Sequence, residues 1–190
     1  LTLTPDANDR RSRCLRLTFA GETGPHRDAA LVAWLKDFSE QAVAESGSLL
    51  SRYRLLSVLL QKLASLKADI DKRLTAQSPL EQYDDAEPEL REKWKDELAA
   101  AIESEYRRER GDVLSALEWW LRDVWLETQR LDRAMRSFPQ LAEASAAVAR
   151  RLSPQQAMEN LRVVEDTQRL LGSNVQEALT IEVALLKLAL

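Results

Sequence analysis

Apolar residues follow one another at steps of three and four over most of the chain, which is the spacing of one face of an α-helix. The clearest run predicts an amphipathic helix from about Ser48 to Ala76, with a stripe formed by Leu49, Tyr53, Leu56, Leu60, Leu63, Leu66, Ile70 and Leu74. A shorter run precedes it at Ala30, Leu31, Trp34, Leu35 and Phe38. That run predicts a helix ending near Ser46 and Gly47.

A second long stripe starts after Pro88 and meets no further proline until Pro139. Its members are Leu90, Trp94, Leu98, Ile102, Tyr106, Val113, Leu117, Leu121 and Val124. At about 1.5 Å per residue such a helix exceeds about 50 Å, which is longer than a small domain is wide. Gly111 is its weakest point, because glycine is a poor helix former. We therefore expect the helix either to bend near Gly111 or to reach out from the body.

The final third predicts three shorter helices, the first marked by Phe138, Leu141, Val148 and Leu152. Ser153, Pro154 and Gln156 supply the N-cap, the first-turn proline and the capping-box glutamine of the second. Gly172 ends that helix, and the following Ser-Asn pair is expected to start the third. The third, "VQEALTIEVALLKLAL", is apolar on nearly all sides. It is therefore expected to be buried against several neighbours or against another chain.

One segment has the alternation of a half-buried strand. From Cys14 to Phe19, Leu15 and Leu17 share one side with Phe19, and the residues between them are polar. "AGETGP" then breaks the pattern with two glycines and a proline. We therefore expect an all-α helical bundle from Pro25 onward, containing one long helix and preceded by a short strand.

Composition and charge narrow the class of protein. The 190 residues are 45% hydrophobic and 31% charged, with a net charge of −4, as in a helix-rich globular protein. A net negative charge argues against direct binding of nucleic acid over a wide surface. The twelve acidic and six basic residues from Ser78 to Asp112 are typical of a solvated helix face. We expect a cytoplasmic protein with no membrane contact. The sequence has a single cysteine, no long apolar run and no secretory signal at its start.

No catalytic motif is present. The sequence has no Gly-rich phosphate loop with a lysine, no Gly-x-Ser-x-Gly, no Cys-x-x-Cys and no His-Glu-x-x-His. His26, the single histidine, cannot form a zinc site or a triad alone. Cys14 has no base near it in sequence, and the Asp84–Asp85 pair lies in the acidic region. We expect no catalysis by this chain alone, no metal site and no cofactor of its own.

Two features of the C-terminal part suggest contacts with other chains or within the core. Trp119, Trp120 and Trp125 are too close together for all three to face one core, so one or two of them are candidates for an interface, with core packing an equal alternative. Glu182 interrupts the last apolar run. A buried carboxylate there requires a partner, and the candidates are Arg162 and Arg169.

The stretch "RRSRCLRLTF" resembles the segment of bacterial DNA polymerase III clamp-loader subunits in which a Ser-Arg-Cys triplet, here Ser12, Arg13 and Cys14, closes the AAA+ domain. "LEWWLRDVWL" and "LLGSNVQEALTIEVALLKL" resemble the collar domain of that family, and the ending is similar to that of the delta-prime subunit. The resemblance covers residues 10–19 and 110–190. Between them the chain departs from the family, because the helical lid is short.

The resemblance implies a C-terminal fragment with three parts: residues 1–24 as the end of the AAA+ domain, 25–77 as reduced lid-like or linking helices, and 78–190 as the collar. Arg13 would reach the ATP and Mg²⁺ of a neighbouring subunit as a trans-acting arginine finger, and the bundle, with Leu186 on its last helix, would be an assembly surface.

The partners implied are the gamma/tau and delta subunits of the polymerase III holoenzyme, the sliding clamp indirectly, and DNA only through the assembly. The alternatives are a fragment of a gamma/tau-type subunit and an unrelated helical adaptor or scaffold.

Overall fold

The structure is a computed structural model that describes Pro25 and residues 28–44, 47–83 and 87–190. Its α-helices are α1 (Ala29–Ala44), α2 (Leu49–Gln77), α3 (Pro79–Gln82), α4 (Pro88–Thr128), α5 (Ala142–Ala149), α6 (Pro154–Leu171) and α7 (Glu177–Lys187). Two 3₁₀ turns, Arg133–Met135 and Pro139–Leu141, lie between α4 and α5. The described residues include no strand, which confirms the all-helical prediction for this part of the chain. The strand predicted at residues 14–19 lies outside it.

The ends of α2 and α6 follow the capping signals in the sequence. Ser48 caps α2 by accepting a hydrogen bond from the Ser51 N–H. Ser153 and Gln156 form the predicted capping box of α6, and Gly172 is the C-cap of that helix. The capping box and the helix end at Gly172 were predicted, and both are confirmed.

The last helix begins later than its sequence suggested. Ser173 and Asn174 do not start α7, which begins at Glu177. The Ser173 N–H instead donates to the Leu170 carbonyl at 2.9 Å, and the Ser173 hydroxyl donates to the same oxygen at 2.6 Å. Ser173 therefore satisfies a free carbonyl at the end of α6 and prolongs the turn.

Helix α4 is continuous over 41 residues and passes through Gly111 without interruption. Of the two outcomes expected for it, the structure adopts the second, in which the helix reaches out. Among the described residues of the range 66–105, only Ile70 and Ser78 are buried. Helices α2 and α4 run antiparallel there, joined by Arg73 Nη2 at 3.2 Å from Glu105 and 3.1 Å from Glu109. We call residues 66–105 the arm.

The second half of α4 is the centre of the core, and α1, α2, α5 and α6 pack around it. Phe38 of α1 is fully buried and meets Trp120 edge-on, with ring centroids 6.0 Å apart. Leu59 of α2 and Leu117 of α4 belong to the same hydrophobic cluster. Residues on both sides of the boundary predicted at 77/78 therefore share one core, while the assignment of the two parts to a lid and a collar stays a prediction.

The connection between α4 and α5 is held by one buried carboxylate. Asp123 is completely buried and accepts hydrogen bonds from the backbone N–H groups of Ser137 and Phe138, each at 2.8 Å. The Phe138 ring is 1% exposed. Asp123 thus fixes the point at which the chain re-enters the core, because one buried carboxylate accepts from both of these N–H groups.

The residues after α7 lie along the bundle as an extended tail. Leu188 and Leu190 are buried, and the Gly47 N–H donates to the Leu190 carbonyl at 3.4 Å. Gly47 has φ +73°, a conformation that glycine adopts without the steric cost of a side chain. Arg52 Nη1 donates to the Leu186 carbonyl at 2.6 Å. The start of α2 therefore lies against the end of α7.

Candidate interaction surface

The sequence-predicted site residues fall into two groups. Ser12, Arg13 and Cys14 lie outside the described residues, so the arginine-finger role of Arg13 stays a prediction. The other candidates, Trp119, Trp120, Trp125 and Leu186, all lie within α4 and α7.

The three tryptophans divide between core and surface. Trp120 is 0% exposed and packs against Phe38, whereas Trp119 and Trp125 are half-buried. The Arg122 guanidinium lies over the Trp119 ring, 5.2 Å from its centroid. Trp119 also lines a groove of about 350 Å³ between α4 and α6. Trp119 and Trp125 are therefore accessible to a partner chain, whereas Trp120 packs in the core.

Helix α7 has two apolar faces. Its inner face is buried at Ile181, Ala184 and Leu185. On the outer face Leu179 is 53% exposed and Val183 is 44% exposed, one helical turn apart. Leu186, seven residues after Leu179 and three after Val183, continues this outer face and is half-buried. The sequence predicted a last helix that is apolar on nearly all sides and buried against several neighbours or another chain. The outer face is indeed apolar, but none of the described residues covers it.

Exposed apolar side chains at the start of α2 lie beside this outer face. Leu49, Leu50 and Tyr53 are 64%, 61% and 41% exposed. Leu49 and Tyr53 share one face of α2 because they are four residues apart, and Leu50 projects about 100° from Leu49. The Tyr53 hydroxyl donates to Glu182 Oε1 at 3.3 Å, which links that side to α7. We call Leu49, Leu50, Tyr53, Leu179 and Val183 the α2–α7 patch.

Glu182 does not make the ion pair expected for it. It is half-buried, and Tyr53 is its hydrogen-bond donor. Arg162 pairs with Glu159 at 3.4 Å. The expectation assumed full burial of the last helix, whereas the half-buried carboxylate lies beside an exposed face and remains accessible to solvent.

Sequence reasoning assigned Leu49 and Tyr53 to a core-facing stripe, and this was wrong for both. The core-facing positions near them are Ser51, Leu55 and Leu56. The adjacent pair Leu49–Leu50 was a signal of the difference, because two neighbouring apolar residues in a helix project about 100° apart. At least one of Leu49 and Leu50 must therefore point away from the core.

A polar cluster fixes the start of α7 against α4. Tyr106 and Arg110 both donate hydrogen bonds to Glu177, and Arg110 Nη2 donates to the Leu171 carbonyl at 3.0 Å. Burial and the hydrogen bond to Glu177 raise the pKa of Tyr106 above its usual range. The phenol therefore stays protonated and is a hydrogen-bond donor, not a nucleophile.

A cavity of about 960 Å³ opens beside this cluster, lined partly by Lys67, Arg107 and Gln168. Arg107 is paired with Glu103 at 2.8 Å, and Lys67 lies over the Tyr106 ring, 5.3 Å from its centroid. The positive charges of Lys67 and Arg107 that line the cavity thus already have partners within the chain. The cluster stabilises the turn between α6 and α7 and so orients the α2–α7 patch.

The residues that the structure describes contain neither a metal-ion cluster nor a membrane-spanning helix. Within the described ranges, no group of three or more His, Cys, Asp or Glu side chains is placed to hold a metal ion. None of the helices described has the length and apolar character required to cross a membrane. Comparisons with protein-family models, with curated proteins and with solved structures found no match to this chain.

Proposed function

We propose that this chain is the C-terminal part of a delta-prime-type subunit of the DNA polymerase III clamp loader, which joins the complex through its helical bundle. The observation that carries the proposal is the α2–α7 patch. It includes the outer face of the helix formed by "LTIEVALLKL", the stretch that resembles the end of the collar domain. Exposed apolar side chains on two neighbouring helices of a rigid bundle are typical of a protein–protein interface.

The partners proposed are the gamma/tau and delta subunits, which would cover the patch in a clamp-loader pentamer. The chain would contribute no chemistry alone. Arg13 would act in trans on the ATP and Mg²⁺ bound by a neighbouring subunit, where a guanidinium stabilises charge that develops on the phosphates. Contact with the sliding clamp and with DNA would be indirect.

The assembly surface is tested by mixing the chain with the other loader subunits and measuring their co-elution. Leu179→Asp with Val183→Asp is expected to weaken association at least tenfold, because each places a charge in the apolar interface, at about 1.4 kcal/mol per factor of ten. The control is Leu90→Asp, which alters a residue of similar exposure, 41%, on the arm. Equal co-elution of both variants and the wild type would show that the patch is not the assembly surface.

The role of Arg13 is tested separately, in the full-length subunit assembled with its partners. Arg13→Ala is expected to lower DNA-stimulated ATP hydrolysis at the neighbouring site, because arginine fingers contribute about 10³ to 10⁵ in rate in related phosphoryl-transfer systems. Arg16→Ala, three residues along the same segment, is the matched control. Full ATPase and clamp-loading activity of an intact Arg13→Ala complex would rule out the trans-acting role.

A second candidate function, a helical adaptor unrelated to replication, is supported by the arm, since projecting helical hairpins present binding surfaces without catalysis. A gamma/tau-type origin is the third. The same mixing experiment separates them. An adaptor would fail to associate with any loader subunit, and a gamma/tau-type fragment would replace the gamma/tau subunit rather than delta-prime in the reconstituted complex.

A further inference from the structure

The outer end of the arm carries an apolar groove. It lies between the end of α2, α3 and the first half of α4, has a volume of about 230 Å³, and is lined by Leu74, Gln77, Ser78, Pro79, Trp94, Glu97, Leu98 and Ala101. Tyr83, which is 59% exposed, lies beside the groove with its ring centroid 6.1 Å from that of Trp94. Aromatic surface is thus left open at a point far from the core.

The same part of the chain is strongly acidic. Residues 81–97 contain eight acidic and three basic residues, a net charge of −5, whereas the whole chain carries −4. The basic residues Lys93 and Lys95 are already paired, with Glu97 at 3.7 Å and with Glu92 at 3.2 Å. Glu87 and Glu89 are both exposed at the start of α4, the helix that forms one side of the groove. The groove therefore lies in a segment of net negative charge, and Glu97 is part of its lining.

We propose that this groove, with Tyr83 and Trp94, binds a basic protein segment that inserts an apolar or aromatic side chain. The volume suits an anchor of one or two side chains, and aromatic side chains that are partly exposed are frequent hot spots of binding. Lys or Arg residues flanking the anchor would be attracted by the acidic surround and would also stack on the aromatic faces. Nucleic acid and anionic lipid carry the wrong sign of charge.

This site is separate from the α2–α7 patch, because the groove lies on the arm and the patch lies on the bundle. The inference does not depend on the clamp-loader proposal. It requires that the acidic residues and the aromatic groove act together on the same ligand.

The test uses fluorescence anisotropy with a fluorescein-labelled peptide that carries Lys and Leu at helical spacing. The same peptide with Glu in place of Lys is the charge control. The Lys peptide is expected to bind, and to bind more weakly as salt is raised. The Glu peptide is expected not to bind. Equal binding of both peptides would overturn the proposal.

Two sets of variants locate the bound peptide. Glu87→Gln, Glu89→Gln and Glu97→Gln together are expected to weaken binding about tenfold, at roughly a factor of two per exposed charge pair. The matched control is Glu143→Gln with Glu159→Gln and Glu165→Gln, which removes the same charge from exposed positions on α5 and α6. If the control variant weakens binding as much as the arm variant, the peptide responds only to the net charge of the protein, and the proposed site is wrong.

The aromatic half of the site is tested with Trp94→Ala, checked by circular dichroism for retained helix, and with Tyr83→Ser, whose exposed position makes it compatible with folding. Each is expected to weaken binding about fivefold or more. Leu179→Asp with Val183→Asp is expected to leave binding unchanged. Unchanged binding by a folded Trp94→Ala and by Tyr83→Ser, or self-association of the chain that Tyr83→Ser abolishes, would contradict the proposal.

Discussion

Asn160 and Ala189 are joined by a pair of hydrogen bonds. The Asn160 Nδ2 donates to the Ala189 carbonyl at 2.8 Å, and the Ala189 N–H donates to Asn160 Oδ1 at 2.9 Å. Asn160 is 2% exposed and belongs to α6. One amide side chain therefore satisfies both polar groups of a backbone unit in the extended tail, as a neighbouring strand would.

Asn160→Ala is expected to lower the free energy of unfolding by about 1–3 kcal/mol, because it removes the hydrogen-bond partner of both partly buried backbone groups of Ala189. Asn160→Asp retains the acceptor and loses the donor, so it is expected to destabilise as well. Chemical denaturation gives the free energies, and Glu159→Ala at the exposed neighbouring position is the control. A tail that is not held by Asn160 would show no difference between the two positions.

Phe38→Ala is expected to destabilise the protein by about 3–5 kcal/mol, since it opens a cavity between α1 and Trp120. Because α1, α2 and α4 share one core, unfolding is expected to remain a single transition when monitored by tryptophan fluorescence and by circular dichroism. Lys36→Ala, at an exposed position of the same helix, is expected to change stability by less than about 0.5 kcal/mol. Two separate transitions would contradict the shared core.

Asp123→Ala is expected to cost about 2–6 kcal/mol, because it removes the carboxylate that accepts from the Ser137 and Phe138 N–H groups at a buried position. Asp123→Asn retains the shape but points an NH₂ at one of these two donors. It is therefore expected to recover only part of the loss. The measurement is thermal unfolding of all three proteins, and an Asp123→Asn variant as stable as the wild type would mean that the carboxylate charge and its second acceptor are not required.

The arm contains a group whose titration should be visible in stability. Hydrogen bonds from Arg108, and then from Arg73, lower the pKa of Glu105 from 4.5 to about 2. A pKa lowered by folding contributes stability that is present above the unfolded value and is lost as pH falls towards 2. The contribution is small, because the pair is open to solvent and screened by salt.

Glu105→Gln is thus expected to be less stable than the wild type at pH 7 and to converge with it near pH 2. The free energy of unfolding is measured at several pH values between these limits. Glu92→Gln, also on the arm, is the control for a change in net charge. Parallel pH profiles for the wild type and Glu105→Gln would contradict the lowered pKa.

Gly111→Ala is expected to stabilise the protein by about 0.5–1 kcal/mol, because Gly111 lies inside a continuous helix and alanine is the better helix former. A Cβ added there meets no atom within 4 Å. Gly172→Ala is the contrast, since a Cβ at that position comes 3.3 Å from the Arg169 carbonyl oxygen. Denaturant midpoints of the two variants give the comparison, and a destabilised Gly111→Ala would mean that the helix is strained at this point.

The periodicity of the sequence was sufficient to predict the helices, but not how far each helix is covered. Leu56, Leu63 and Ile70 continue the stripe of α2 and are buried, whereas Leu49 and Tyr53 of the same stripe are exposed. Periodicity reports which residues share a side of a helix. Whether a residue on that side is buried depends on where the neighbouring helices end.

Features that depend on contacts distant in sequence were not predictable. The pairing of Asp123 with Ser137 and Phe138, and that of Asn160 with Ala189, use side chains that no local motif singles out. The sequence offered two outcomes at Gly111, and the choice between them depends on α2, which continues along α4 and supports its extension. The groove at the end of the arm was also missed, because it requires α2, α3 and α4 to meet.

The uninterrupted course of α4 gives the arm a mechanical role. The part of α4 that lies in the arm, from Pro88 to Glu105, spans about 27 Å at about 1.5 Å per residue, and the second half of the helix is embedded in the core beside Trp120. A load applied at the outer end therefore acts as a torque on the core, with the leverage concentrated next to the buried Tyr106, where the helix enters the bundle.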